Sequence, residues 1–134
     1  MKQIVPEIYV KYCKKALAFY QSLFGGTVKN LQMSDDLPMF QDMKDKVIHS
    51  ELHVNERCIF YFVDVLDEHR AQTGNVTLML HLDSRLEAER IYHGLQKGGA
   101  VLMELQQTFL GAYHAIVTDR FGAPWALNFD EANG

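Results

Sequence analysis

The chain has 134 residues, 48% hydrophobic and 22% charged, close to the proportions of an average globular domain and long enough to build a core without disulfides or a structural metal. Thirteen Lys and Arg against seventeen Asp and Glu give a formal charge of −4 with no basic stripe, which argues against a nucleic-acid partner. No apolar run approaches the ~20 residues of a membrane span, the amino terminus shows no signal-peptide core, and Cys13 and Cys58 lie outside any Cys/His cluster, so the expected setting is the reducing cytoplasm with no membrane partner.

Residues 4–10 are rich in β-branched and aromatic side chains, with Pro6 near the start, and read as a strand. From Lys14 the spacing of Ala16, Phe19, Tyr20, Leu23 and Phe24 is that of an amphipathic helix, stopped by Gly25-Gly26. A strand over 27–33 and an irregular, methionine-dotted stretch over 34–46 follow. Residues 47–54 and 57–65 read as a hairpin closed by a two-residue turn at Asn55-Glu56. The polar segment 67–75 is the natural linker, dividing a single domain, 1–134, into module one (1–66) and module two (76–134). After it come a strand over 76–82, a helix over 84–97 with Ser84 as N-cap and Glu87 as capping-box partner, a Gly98-Gly99 stop, and strands over 100–105, 112–118 and 124–129.

The two halves repeat. The stretch from Ala18 to Leu23 lies over that from Arg90 to Leu95 at a constant offset of 72 residues, and each helix runs into a Gly-Gly pair. The order βαβββ occurs twice, which predicts an α+β fold: two βαβββ modules forming one curved, mostly antiparallel eight-stranded sheet, with both helices on its outer face and a concave inner face.

This layout, with Ala16-Leu17-Ala18-Phe19-Tyr20 ahead of Phe24-Gly25-Gly26, the segment His49-Ser50-Glu51-Leu52 and the closing run Asp119-Arg120-Phe121-Gly122-Ala123-Pro124-Trp125, resembles the PhnB-like branch of the glyoxalase/bleomycin-resistance/dioxygenase superfamily, the vicinal oxygen chelate proteins. The resemblance implies metal-ligand positions near the start of each module's first strand and on each last strand. Aligned through the repeat, and through Asp64 over Asp130, these fall on Val5, Thr77, Phe60 and Ala126, none of which ligates a metal. The expectation is a protein without the glyoxalase-type metal or any other cofactor.

Period-two alternation assigns the polar groups left on the inner face. Glu7, Tyr9, Met79 and His81 follow Val5 and Thr77 inward. A two-residue turn would pair His53 with Cys58, Glu51 with Phe60 and His49 with Phe62, and Ala126, Asn128 and Asp130 join from the last strand. The expected ligand-binding set is therefore Glu7, His49, Glu51, His53, Phe60, Phe62, His81, Ala126 and Asn128, while Trp125 turns toward the helices. On a strand His49 and His53 start about 13 Å apart, so His-x-x-x-His is not a helical zinc motif here. Cys58, inward beside His53, is either an inert buried thiol or a nucleophile.

Two functions fit. One is a metal-independent protein that binds or sequesters a small molecule, as the bleomycin-binding relatives do. The other is a glyoxalase-like or related enzyme, using a displaced metal on Glu7, His81 and one of His49 or His53, or acid/base residues such as Glu7, Glu51 and His81. A homodimer is expected, with a linker long enough for modules to be exchanged between chains.

Overall fold

The structure is a computed structural model that describes residues 1–40, 42–66, 75–108 and 111–131. The chain divides into two compact units, Met1–Gln72 and Thr73–Gly134, and each contains one βαβββ module. All but the last residue of the expected 67–75 linker lies outside the described residues.

Module one runs β1 (Glu7–Val10), α1 (Cys13–Phe24), β2 (Thr27–Met33), β3 (Val47–His53) and β4 (Ile59–Asp64), with two short 3-10 turns, Ser34–Asp36 and Pro38–Phe40, in the irregular stretch. Module two repeats the order as β5 (Leu78–His81), α2 (Arg85–Gln96), β6 (Ala100–Gln107), β7 (Ala112–Thr118) and β8 (Pro124–Asp130). The eight strands form two four-stranded sheets of the same topology, β1-β4-β3-β2 and β5-β8-β7-β6. In each, the first strand runs parallel to the last and the other two pairings are antiparallel, so the fold is α+β with two mixed sheets.

Each sheet packs one face on its helix. In module one Tyr20 of α1 stacks on Phe62 at 4.6 Å between ring centroids, and Phe24 meets Phe60 at 6.0 Å. Cys13, Ala16, Leu17, Tyr20 and Leu23 form the buried stripe of α1; Ala88, Ile91, Tyr92 and Leu95 form that of α2. Ala16, Tyr20 and Leu23 recur at the 72-residue offset as Ala88, Tyr92 and Leu95. In module two Arg85 of α2 lies over the Tyr113 ring, which fixes the helix-facing side of β7 and, through the Val117–Trp125 pairing, turns the fully buried Trp125 the same way.

The Gly-Gly pairs do more than end the helices. A Cβ at Gly26 would stand 2.3 Å from the His53 carbonyl oxygen, and one at Gly99 would stand 2.2 Å from that of Thr118. In both modules the chain leaving the helix crosses tightly against the end of the third strand, and only glycine fits.

The helix starts differ. Ser84 Oγ accepts the Glu87 N–H as expected, while the Glu87 carboxylate accepts the N–H of Asp83, one residue before the cap. Helix α1 has no side-chain cap of its own; the buried Asp64 carboxylate reaches from β4 to accept the N–H groups of Cys13 (2.9 Å) and Val47 (2.7 Å). That places a negative charge at the positive end of the helix dipole and ties three elements together.

The hairpin departs from the sequence reading. Val54 donates its N–H to the Cys58 carbonyl, and the pairs are His53–Ile59, Leu52–Phe60 and Glu51–Tyr61. Three residues, Asn55, Glu56 and Arg57, form the loop, and the Asn55 side-chain oxygen accepts the N–H groups of Arg57 and Cys58. One extra loop residue slips the register by one and turns every β4 side chain to the opposite face. Phe60 and Phe62 are thereby in the helix-packed core, not on the inner face, and Tyr61 takes their place. Cys58 lies before β4 and is exposed.

Candidate functional site

Three ladders fix what shares the helix-free face of module one. Glu7 lies opposite Tyr61, Tyr61 opposite Glu51, and Glu51 opposite Lys29, a row that crosses all four strands. His49 and His53, two residues to either side of Glu51, share that face.

Glu51 is the hub. Its Oε2 accepts from His49 Nε2 at 2.7 Å and from Asn30 Nδ2 at 3.1 Å, and its Oε1 accepts from His53 Nε2 at 2.8 Å. Asn30 reaches it because the β2–β3 register shifts between Lys29 and Gln32, and Asn30 itself sits at φ +54°, the left-handed conformation that asparagine tolerates better than most residues. The His49 ring meets the Tyr61 ring edge-on at 4.9 Å. The N–H donors of His49 and His53, with a smaller contribution from Asn30, outweigh burial and hold the Glu51 carboxyl down at about 2. At neutral pH this carboxylate is ionised and can only accept hydrogen bonds.

A stability prediction follows from that shift. Because the folded-state value lies below the ordinary 4.5, Glu51 contributes its full stabilisation above about pH 4.5 and loses it as pH falls toward 2. Discounted for imidazoles that are 28% and 25% exposed, the contribution is about 1–2 kcal/mol. Glu51→Gln should therefore be less stable than the parent at pH 6, with the gap closing between pH 4.5 and 2. A gap in urea-unfolding free energy that stays constant across that window would show that the carboxylate gains nothing from its two histidines.

The remaining expected site residues are distributed as follows. Glu7 is exposed on the edge strand β1. His81, Ala126 and Asn128 belong to module two, where His81 lies opposite Asn128 and Met79 opposite Ala126. The Asn128 side chain meets His81 Nδ1 at 3.4 Å, and His114, whose facing the sequence left open, lies directly opposite Asn128 and so shares its face. Phe60 and Phe62 leave the set for the core. The residues missed are Tyr61, Asn30 and His114; a three-residue loop would have revealed the first, and the other two depend on a bulge and a register invisible in local pattern.

The cysteines offer no nucleophile paired with a base. Burial, reinforced by the neighbouring Asp64 carboxylate, pushes the Cys13 thiol up to about 12, and exposed Cys58 is not the His53 partner expected of it. Elsewhere in module one, a concavity of about 490 Å³ at the start of α1 gathers Lys14, Lys15, Lys44 and Lys46 beside Asp45 and Asp64.

Residues 2–127 match the sequence profile of the Glyoxalase/Bleomycin resistance protein/Dioxygenase superfamily. The chain belongs to that superfamily. It is 28% identical over 128 residues to Protein YjdN of Escherichia coli (strain K12), covering 87% of this chain and 86% of YjdN. The crystal structure of protein PA1353 from Pseudomonas aeruginosa superposes with a TM-score of 0.83 at 33% identity, covering 97% of this chain and 98% of that one. A PhnB protein from Bacillus cereus shares the fold at a TM-score of 0.81 and 21% identity, covering 96% and 99% of the two chains.

The metal centre implied by the superfamily does not fit the side chains present. The register puts Tyr61 where Phe60 was expected, so the four inherited places hold Val5, Tyr61, Thr77 and Ala126, none of which is a His, Cys or carboxylate ligand. Among the described residues no three His, Cys, Asp or Glu groups are placed to hold a metal ion. His49 and His53 each spend Nε2 on a different oxygen of one carboxylate, an arrangement that orients imidazoles without forming a cage. Among the described residues, no helix is long and apolar enough to cross a membrane.

Proposed function

We propose that the protein is a metal-independent small-molecule binding protein of the cytoplasm, acting as a homodimer, with its ligand seated on the helix-free face of module one. The observation that carries this reading is the Glu51 hub: a carboxylate, two partly exposed imidazoles and an aromatic ring held in one cluster by strand register. Small-molecule sites combine apolar contact area with a few oriented polar groups, and Tyr61 with His49, Glu51 and His53 supplies both. Dimerisation is supported by β6, an edge strand among the described residues, which exposes Leu102 (71%) and Val101 (39%). Sedimentation at micromolar concentration should give twice the chain mass; a monomer there would refute the dimer.

Metal titration tests the binding reading against an enzyme with a displaced metal. Protein dialysed against chelator and then supplied with zinc, nickel or manganese should keep its melting temperature. A metal held at 100 times its dissociation constant would add about 2.7 kcal/mol, several degrees in a domain of this size. A rise of that size, abolished by His49→Ala, would assign the cluster to metal chemistry and overturn the proposal.

A further inference from the structure

We infer that the ligand group recognised on the helix-free face of module one is a hydrogen-bond-donating cation, a primary ammonium or a guanidinium; this rests on the binding reading above and specifies its chemistry. The hydrogen-bond inventory gives the first argument. Glu51 is an acceptor, so the Nε2 atoms of His49 and His53, at 2.7 and 2.8 Å from its oxygens, must both carry the proton. Each neutral imidazole is thereby fixed as the Nε2–H tautomer, and its Nδ1 is left as a lone pair. Neither Nδ1 has a partner among the described residues, and both side chains are partly exposed. With both imidazoles neutral, the cluster offers acceptors, which a ligand's N–H groups can satisfy and a carboxylate cannot.

Charge and aromatic placement give the second. Tyr61 stands between Glu7 and Glu51 in one cross-strand row, and directly opposed residues bring their Cβ atoms to about 4.5–5.5 Å. An aromatic ring flanked by two carboxylates suits a cation, which gains from the ring quadrupole and from both charges. Lys29 closes the row beyond Glu51 on the edge strand β2. Glu7, exposed and without an ion-pair partner among the described residues, is left as the uncompensated charge beside Tyr61. An anion would find a better partner at the lysine-lined concavity by α1.

Three probes of one shape separate the possibilities: butylammonium, 1-butanol and butyrate, titrated at low salt into isotope-labelled full-length protein while side-chain NMR signals of Tyr61, His49 and His53 are followed. Butylammonium should shift these signals and bind about tenfold more tightly than butanol. The advantage should vanish in Glu7→Gln, whose exposed side chain makes the substitution safe for folding, and in Tyr61→Leu. Nitrogen-15 shifts should show both neutral imidazoles protonated at Nε2. Equal or tighter binding of butanol or butyrate at these residues would overturn the cationic class while leaving the site itself standing. An unchanged advantage in both variants, or an Nδ1–H tautomer at either histidine, would overturn it equally. Failure of all three probes to move any of the three residues would overturn the binding reading together with this inference.

Discussion

Phe62→Ala is expected to lower the unfolding free energy by about 3–5 kcal/mol, whereas Tyr61→Ala, one residue earlier on the same strand, should cost about 1 kcal/mol. The difference comes from the face each side chain occupies. Phe62 is fully buried, stacked on Tyr20 and 6.0 Å from Phe60, and its carbonyl accepts the Ser50 hydroxyl from the neighbouring strand. Removing its ring opens a cavity between α1 and the sheet that a close-packed core fills only partly. Tyr61 is half-buried on the helix-free face, where it loses an edge contact with His49 and leaves a surface depression that water can fill. Denaturant unfolding of the two variants side by side therefore reads the hairpin register. Equal costs, or a greater cost at Tyr61, would return the phenylalanines to the ligand face and contradict the three-residue loop.

That one-residue slip marks where the sequence stops being legible. Helix positions follow from spacing and Gly-Gly stops, and the repeat predicts that both modules share one topology, because these signals are local or periodic and each side chain votes in the same direction. Strand faces on β1, β5 and β8 also follow from alternation: Glu7, His81 and Asn128 share the helix-free faces, while Trp125 turns to α2. In the hairpin alternation fails to discriminate, since 59–63 is an unbroken apolar run that fits either face and the register hangs on loop length alone. Asn55-Glu56-Arg57 contains no glycine to announce a bulged loop; its conformation rests on the Asn55 side chain accepting two backbone N–H groups. Asn30 was likewise unreadable, because its reach to Glu51 depends on a register shift that only the paired strand reveals. The His49-Glu51-His53 stripe was visible as three polar residues on one face, but the bridging of both imidazoles by one carboxylate required coordinates.

Asp119→Ala should destabilise the protein by about 3 kcal/mol, although the residue lies in one of the motifs that carry the family resemblance. Asp119 is 3% exposed at the end of β7. Its Oδ1 accepts the N–H groups of Phe121 (2.8 Å) and Ala123 (3.1 Å), and its Oδ2 accepts the Trp125 indole N–H at 2.7 Å. Its own N–H donates to the Ala123 carbonyl, so one residue closes the turn into β8 and fixes the ring that fills the module-two core. Alanine would leave up to three donors unsatisfied in a region where each costs about 1–3 kcal/mol, partly relieved by water entering the turn. Asp119→Asn is the sharper probe: its oxygen can keep the two backbone donors, but its amide must then face the indole N–H, donor against donor, and about 2 kcal/mol should be lost. Trp125 is the chain's one tryptophan, so its fluorescence follows both unfolding and local solvation. A red-shifted native spectrum in either variant, with the Glu51 cluster's NMR signals unmoved, would place Asp119 in the scaffold of module two and apart from ligand chemistry. Stability within 0.5 kcal/mol of the parent for Asp119→Ala would mean that the turn is held by its glycine and backbone alone.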